Sequence, residues 1–243
     1  MIDRDFRARY VGSFGGLFWA ILQPLMQVFV YTLIFSLIFG RKIGDTPFAL
    51  WLFCALLPWI MFSEIVKNSC GVIEKNKNLV TKTPFRSEIL PMVVIGSALT
   101  GHLVGLGVLI TLLLLCKQTV GWYAMTIFFY LPCLMLFSLG LSWLVASVNV
   151  FVKDVSQSIT VLLQMWFYLC PIIYPSSIIP EKYRFLLMLN PMYFITEGYR
   201  RALLSHQGIA VIDFICFFCI TLVLLFVGAW TFRRLKGQFA EVL

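Results

Sequence analysis

Six stretches of this chain contain no Asp, Glu, Lys or Arg: residues 10–40, 46–63, 89–116, 118–152, 155–180 and 214–232. Each reaches the about 18 to 20 residues that an α-helix needs to cross the hydrocarbon of a bilayer. Lipid offers no partner for a backbone N–H or C=O, so such runs fold as helices that satisfy those groups internally. Allowing for polar ends and turns, the spans are expected near 17–40, 48–66, 90–115, 122–149, 156–177 and 210–232. Composition agrees: 60% of residues are hydrophobic and 12% charged, where soluble chains carry about a quarter charged. Soluble enzyme, disordered tail and secreted disulfide scaffold are excluded. The seven cysteines fall almost entirely in or beside apolar runs and read as small packing residues.

An even number of spans puts both termini on one side, and the scarce cations say which. With the termini inside, the cytoplasmic set holds twelve Lys and Arg and the outer set seven, which favours cytoplasmic termini because Lys and Arg of short loops are retained there. The net charge of +8 then marks orientation rather than nucleic acid. No cleavable signal peptide fits the start, and the first span reads as a signal anchor.

The charges collect in three places. Residues 1–16 carry Ile2, Phe6, Tyr10 and Phe14 at i, i+4 spacing with Arg4, Arg7 and Arg9 among them, the pattern of an amphipathic helix in the membrane interface. A cytoplasmic loop over 67–89 should form one or two short helices around the Thr83-Pro84 break; it is either a docking surface or a tether. After the fifth span, residues 178–206 hold a 12-residue uncharged run, 185–196, split by Asn190-Pro191. That run is too short to span, so two short helices are expected to dip into the outer leaflet, with Arg200 and Arg201 snorkelling to the headgroups. Spans three and four, and spans four and five, are joined by tight turns. Ser97, Gly101 and Gly105 form a small-residue stripe suited to close helix packing.

Catalytic motifs are missing. There is no G-x-x-x-x-G-K-[ST] phosphate loop, and the two histidines, His102 and His206, lie far apart. His102 inside span three reads as a neutral imidazole bonded to a neighbouring helix. Cys216-Phe217-Phe218-Cys219 lies in an apolar helix without the context of a redox motif. Uncharged polar groups say more. Gln23, Gln27 and Tyr31 share one face of span one, and Gln157, Thr160, Gln164 and Tyr168 share one face of span five. A buried amide without a partner costs several kcal/mol in hydrocarbon. These stripes must therefore face each other, another subunit or a polar passage.

Four passages resemble the permease subunits of ABC exporters for O-antigen and capsular polysaccharide, the Wzm type. They are Arg4-Asp5-Phe6-Arg7-Ala8-Arg9-Tyr10 with Gly16, Trp19-Ala20 and Pro24; Leu57-Pro58-Trp59 with Phe62-Ser63; Lys82-Thr83-Pro84-Phe85-Arg86-Ser87-Glu88-Ile89-Leu90-Pro91; and Pro171-Ile172-Ile173-Tyr174, Ile179-Pro180-Glu181-Lys182-Tyr183, Asn190-Pro191, Glu197 and Arg200. The ending Gln238-Phe239-Ala240-Glu241-Val242-Leu243 is similar too. The leader before Arg4 is shorter than is usual in that family, and Lys153-Asp154 replaces the common Arg-Asp, which keeps the charge without the planar fork.

The resemblance implies an all-α integral membrane protein: six transmembrane helices over a single domain, 17–243, after an N-terminal amphipathic interfacial helix, with short re-entrant helices between spans five and six. It implies a homodimer with two copies of a separate nucleotide-binding subunit that holds ATP and Mg, this chain binding no cofactor or metal. The substrate would be an undecaprenyl-type lipid-linked polysaccharide crossing the bacterial inner membrane. Gln23, Gln27, Tyr31, Gln157, Thr160, Gln164 and Tyr168 would line the channel. Lys82, Phe85, Arg86 and Glu88 would dock the ATPase, whose motion would pass to spans one and five. Pro171, Tyr174, Pro180, Tyr183, Asn190, Pro191, Glu197 and Arg200 would form the outer gate, and Arg4, Arg7 and Arg9 would meet the lipid headgroup. Teichoic acid, capsule, drug or small-lipid export are alternatives within the family. A passive pore or scramblase is the rival of another class, and a glycan-modifying enzyme lacks the acidic or histidine cluster it would need.

Overall fold

The computed structural model describes residues 16–39, 42–82 and 85–243. The expected interfacial helix over 1–16, with Arg4, Arg7 and Arg9, lies outside the described residues except for Gly16, as do Thr83 and Pro84.

The described chain is almost wholly helical. Helix α1 runs Gly16–Phe39, and a two-stranded hairpin follows, β1 Lys42–Ile43 paired antiparallel with β2 Thr46–Pro47. Its tight turn uses Gly44 at φ +60°, the left-handed region that glycine enters without penalty. Helix α2, Phe48–Cys70, is followed by the short α3, Val72–Lys75, and α4, Lys77–Lys82. Helix α5 is Ile89–Leu115; a 3-10 turn, Trp122–Thr126, leads into α6, Ile127–Phe151; and α7 is Val155–Leu169. Two further 3-10 turns precede α8, Phe185–Met188, and α9, Pro191–Leu203. Helix α10, Val211–Leu235, and α11, Phe239–Val242, complete the chain.

Four helical segments are long and apolar enough to cross a membrane among the described residues: Phe48–Cys70, Ile89–Leu115, Trp122–Phe151 and Val211–Gln238. This is a multi-pass membrane protein. Helix α2 is hydrophobic all round up to Phe62 and sits at the centre, packed by α1, α5, α6, α7 and α9. Leu52, Phe53, Cys54, Ala55 and Leu56 are shut off from the surface. Helix α10 lies along α6 and turns Ile212, Val223 and Phe226 outward, an apolar face suited to lipid. The small-residue stripe on α5 packs as expected at Gly105, where a methyl group would meet Leu57 Cδ1 at 2.5 Å.

The fifth expected span is shorter than its uncharged run. Helix α7 has 15 residues, about 22 Å at 1.5 Å per residue, against about 30 Å of hydrocarbon. It stops because Pro171 disfavours helix at the residue before it, and Cys170 is extended at φ −88°, ψ 140°.

Candidate functional site

The two polar stripes belong to neighbouring helices. Tyr31 of α1 stacks on Phe167 of α7, ring centroids 5.6 Å apart. Gln27 on α1 and Gln157, Gln164 and Tyr168 on α7 are exposed, while Thr160 is half-buried and donates to Ser156 O of its own helix at 3.0 Å. The side chain of Gln23 lies outside the described residues. The exposed amides do not face the interior of this chain. Exposed apolar side chains share those faces, Ile34 seven residues on from Gln27 in α1 and Val161 between Gln157 and Gln164 in α7, so the surface mixes amide, phenol and hydrocarbon without a charge.

Beyond α7 the chain folds back. Tyr174 donates its hydroxyl to Tyr168 O at 3.1 Å. Asn190 caps α9: its Oδ1 accepts from Met192 N at 3.1 Å and from Trp166 Nε1 at 2.9 Å, while Nδ2 donates to Leu169 O at 3.3 Å and to Cys170 Sγ at 3.1 Å. Pro191 follows at the first helical position, where its missing N–H costs nothing. One Asn-Pro pair thus starts α9 and ties it to the end of α7. An apolar groove of about 790 Å³ lies alongside, walled by Ile159, Leu163, Trp166, Leu187 and Pro191.

Arg200 was expected at the headgroups, and the structure corrects this. Helix α9 runs through Glu197, Arg200 and Arg201, and its amphipathic turn points Arg200 inward, 3% exposed. Its Nη1 donates to Pro171 O at 2.7 Å, Nη2 to Ile172 O at 2.8 Å and Nε to Trp51 O at 3.4 Å. The guanidinium lies 3.4 Å from the centre of the Trp51 ring, and Glu197 stands 3.6 Å away. A lone buried cation would cost far too much to persist; here every face has a partner. Pro171 is buried and Tyr174 half-buried, while Pro180 and Tyr183 are exposed. Trp51, the ring under Arg200, had no role in the sequence reading.

On the opposite face, α3 and α4 carry the 67–89 loop, both ahead of the Thr83-Pro84 break. Glu88 points back into the protein and pairs with Lys236, and its carbonyl accepts from Trp143 Nε1 at 3.1 Å. Burial is the largest single influence on the Glu88 carboxyl and raises its pKa. The hydrogen bond from Lys236, one from its own backbone N–H, and the charges of Lys236 and Arg233 together outweigh it, leaving the pKa below the usual value. Phe85 is half-buried and Arg86 exposed; the Lys82 side chain lies outside the described residues. His102 meets the expectation of a helix-to-helix bond: its Nε2 lies 3.0 Å from the Tyr199 hydroxyl.

Comparison with known proteins fits this arrangement. Residues 1–204 match the family model described as ABC-2 type transporter. The chain is 29% identical to the O-antigen export system permease protein RfbA of Myxococcus xanthus, over 99% of this chain and 93% of that one. It is 27% identical to the protein of that name from Klebsiella pneumoniae, over 99% and 92%, and 28% identical to the polysialic acid transport protein KpsM of Escherichia coli, over 95% and 90%. With more than half its length under the family model, and with helices built to cross a bilayer, the chain belongs to the ABC-2 type transporter family.

Proposed function

We propose that this chain is the channel-forming membrane subunit of an ATP-driven exporter that moves a lipid-linked polysaccharide of the O-antigen kind from cytoplasm to periplasm. One observation carries the reading: an otherwise apolar protein, similar over nearly its whole length to polysaccharide export permeases, leaves an uncharged polar and aromatic surface open on two neighbouring helices. Amides and phenols hydrogen-bond and stack on sugars without demanding a charge, so many weak contacts guide a long hydrated glycan without trapping it. Two copies of the chain facing each other through α1 and α7 would enclose that surface. A separate ATPase, two copies holding ATP and Mg, would supply the energy; this chain needs no cofactor of its own.

The finer assignments follow from this reading. Helices α1 and α7 complete a set of six spans, α7 with help from the segment after it, and α8 and α9 dip into the outer leaflet as a gate with Pro171, Tyr174 and Asn190. Both termini face the cytoplasm of a bacterial inner membrane. Arg4, Arg7 and Arg9 meet the lipid's phosphates, and Arg86 with Lys82 meets the ATPase. A capsule polymer is the second reading, favoured by the likeness to a polysialic acid transport protein.

The test replaces Gln27 and Gln164 with Leu. Loss of surface polysaccharide with ATPase binding and thermal stability unchanged supports the channel. A loss of stability alone assigns the stripes to helix packing instead. Transport by the purified chain without any ATPase would make it a passive pore or scramblase.

A further inference from the structure

The short helices of the 67–89 loop cannot hold themselves together, since 4 and 6 residues are far below the length at which an isolated helix is stable. What holds them is a second hydrophobic cluster, separate from the main core. Val72 and Ile73 of α3 meet Leu90 and Val94 of α5, Ala146 and Val150 of α6, Phe232 of α10 and Phe239 of α11, with Val80 of α4 and Phe85 against it. Phe239 is fully buried; its ring stands edge-on to Phe232 at 5.4 Å and tilted to Phe151 at 6.2 Å. Helix α11 packs on both α4 and α6. The Glu88–Lys236 pair, with Trp143 bonded to the Glu88 carbonyl, fastens the other side of the same junction.

We infer that the C-terminal segment from Lys236 onward is a coupling strut: Phe239 and Lys236 are positioning residues that transmit displacement of the 67–89 loop to α6 and α10. This rests on the proposed ATP-driven function and departs from the expectation that spans one and five receive the motion directly. A packed cluster is stiff, so pushing α3 and α4 loads Phe239, and through it the ends of α6 and α10. Helix α10 in turn lies along α6, and α6 runs directly into α7 through Val152, Lys153 and Asp154. The exposed stripe on α7 is thus reached at the end of the path.

The experiment compares parent, Phe239→Ala, Phe239→Leu and Lys236→Glu, each coexpressed with the partner ATPase in cells lacking the native chain. Surface polysaccharide is measured on the cells; ATPase binding and ATP turnover are measured on the purified complexes. The strut predicts that Phe239→Ala and Lys236→Glu lower export about 5-fold or more, the lower end of typical coupling between sites. ATPase binding and turnover per complex should stay near the parent's, and Phe239→Leu should restore most export. Adding Glu88→Lys to Lys236→Glu should also restore it by remaking the pair in reverse. Parent-level export in both single variants overturns the inference. So does loss of ATPase binding, which makes the segment a docking surface, or export and turnover falling in proportion, which makes it only structural. A parent complex with no ATP-dependent export overturns the proposed function, and the strut with it.

Discussion

Arg200 spends its charge on holding three pieces of backbone together. Two of its nitrogens reach the carbonyls of Pro171 and Ile172, which the proline turn has freed from helix bonding, and the third points toward the carbonyl of Trp51 at the start of α2. The planar fork matters here as much as the charge, because a lysine ammonium cannot reach three divergent acceptors and lie flat on Trp51. Arg200→Lys is therefore expected to cost about 3–5 kcal/mol, the usual penalty for breaking a buried charge network, read as a lower melting temperature of the purified protein. An unchanged melting temperature would mean the network is not structural. Glu88 responds to pH instead. Its pKa is lowered in the folded protein, so its pairing contributes stability above the usual carboxylate value of 4.5 and loses it as pH falls through the lowered value. Melting curves should show this acid-side loss in the parent and not in Glu88→Gln; equal pH dependence in both would remove the role.

Helices meet closely where side chains are absent. At the crossing of α6 and α10, a methyl group on Gly228 would stand 2.0 Å from Gly140 O, and one on Gly140 would stand 2.7 Å from Leu225 N. Backbone touches backbone there, as small residues allow in lipid. Gly228→Ala should destabilise by about 1–3 kcal/mol through overpacking, whereas Gly107→Ala, with nothing within 4 Å of the new methyl, should be neutral or slightly stabilising. Melting temperatures of the two variants side by side decide it. The sequence reading found the Gly105 stripe through its four-residue period but passed over Gly140 and Gly228, which lie on different helices and have no period. The available signal was the cost of an isolated glycine in an apolar helix, which asks for a packing reason. The element boundary at Leu169 was legible in Pro171 yet was outweighed by the continuing run of uncharged residues.

At the scale of the molecule, apolar α2 forms the axis, α10 and part of α5 turn apolar faces outward, and the two polar faces of α1 and α7 remain open. The number of apolar runs, the helical class, the cluster of cations in loops and the family likeness could all be read from the chain. Lipid as solvent leaves the backbone one solution, and charge scarcity marks where it applies. Sequence spacing also placed Gln27 and Gln164 on single faces, because a helix has a fixed period. What a face meets depends on which helices become neighbours, and that is decided by packing between residues distant in the chain. Only the tertiary structure could therefore place Arg200 against Trp51, turn Glu88 toward Lys236, bury Phe239 beneath the 67–89 loop, and leave the amides of α1 and α7 facing outward together.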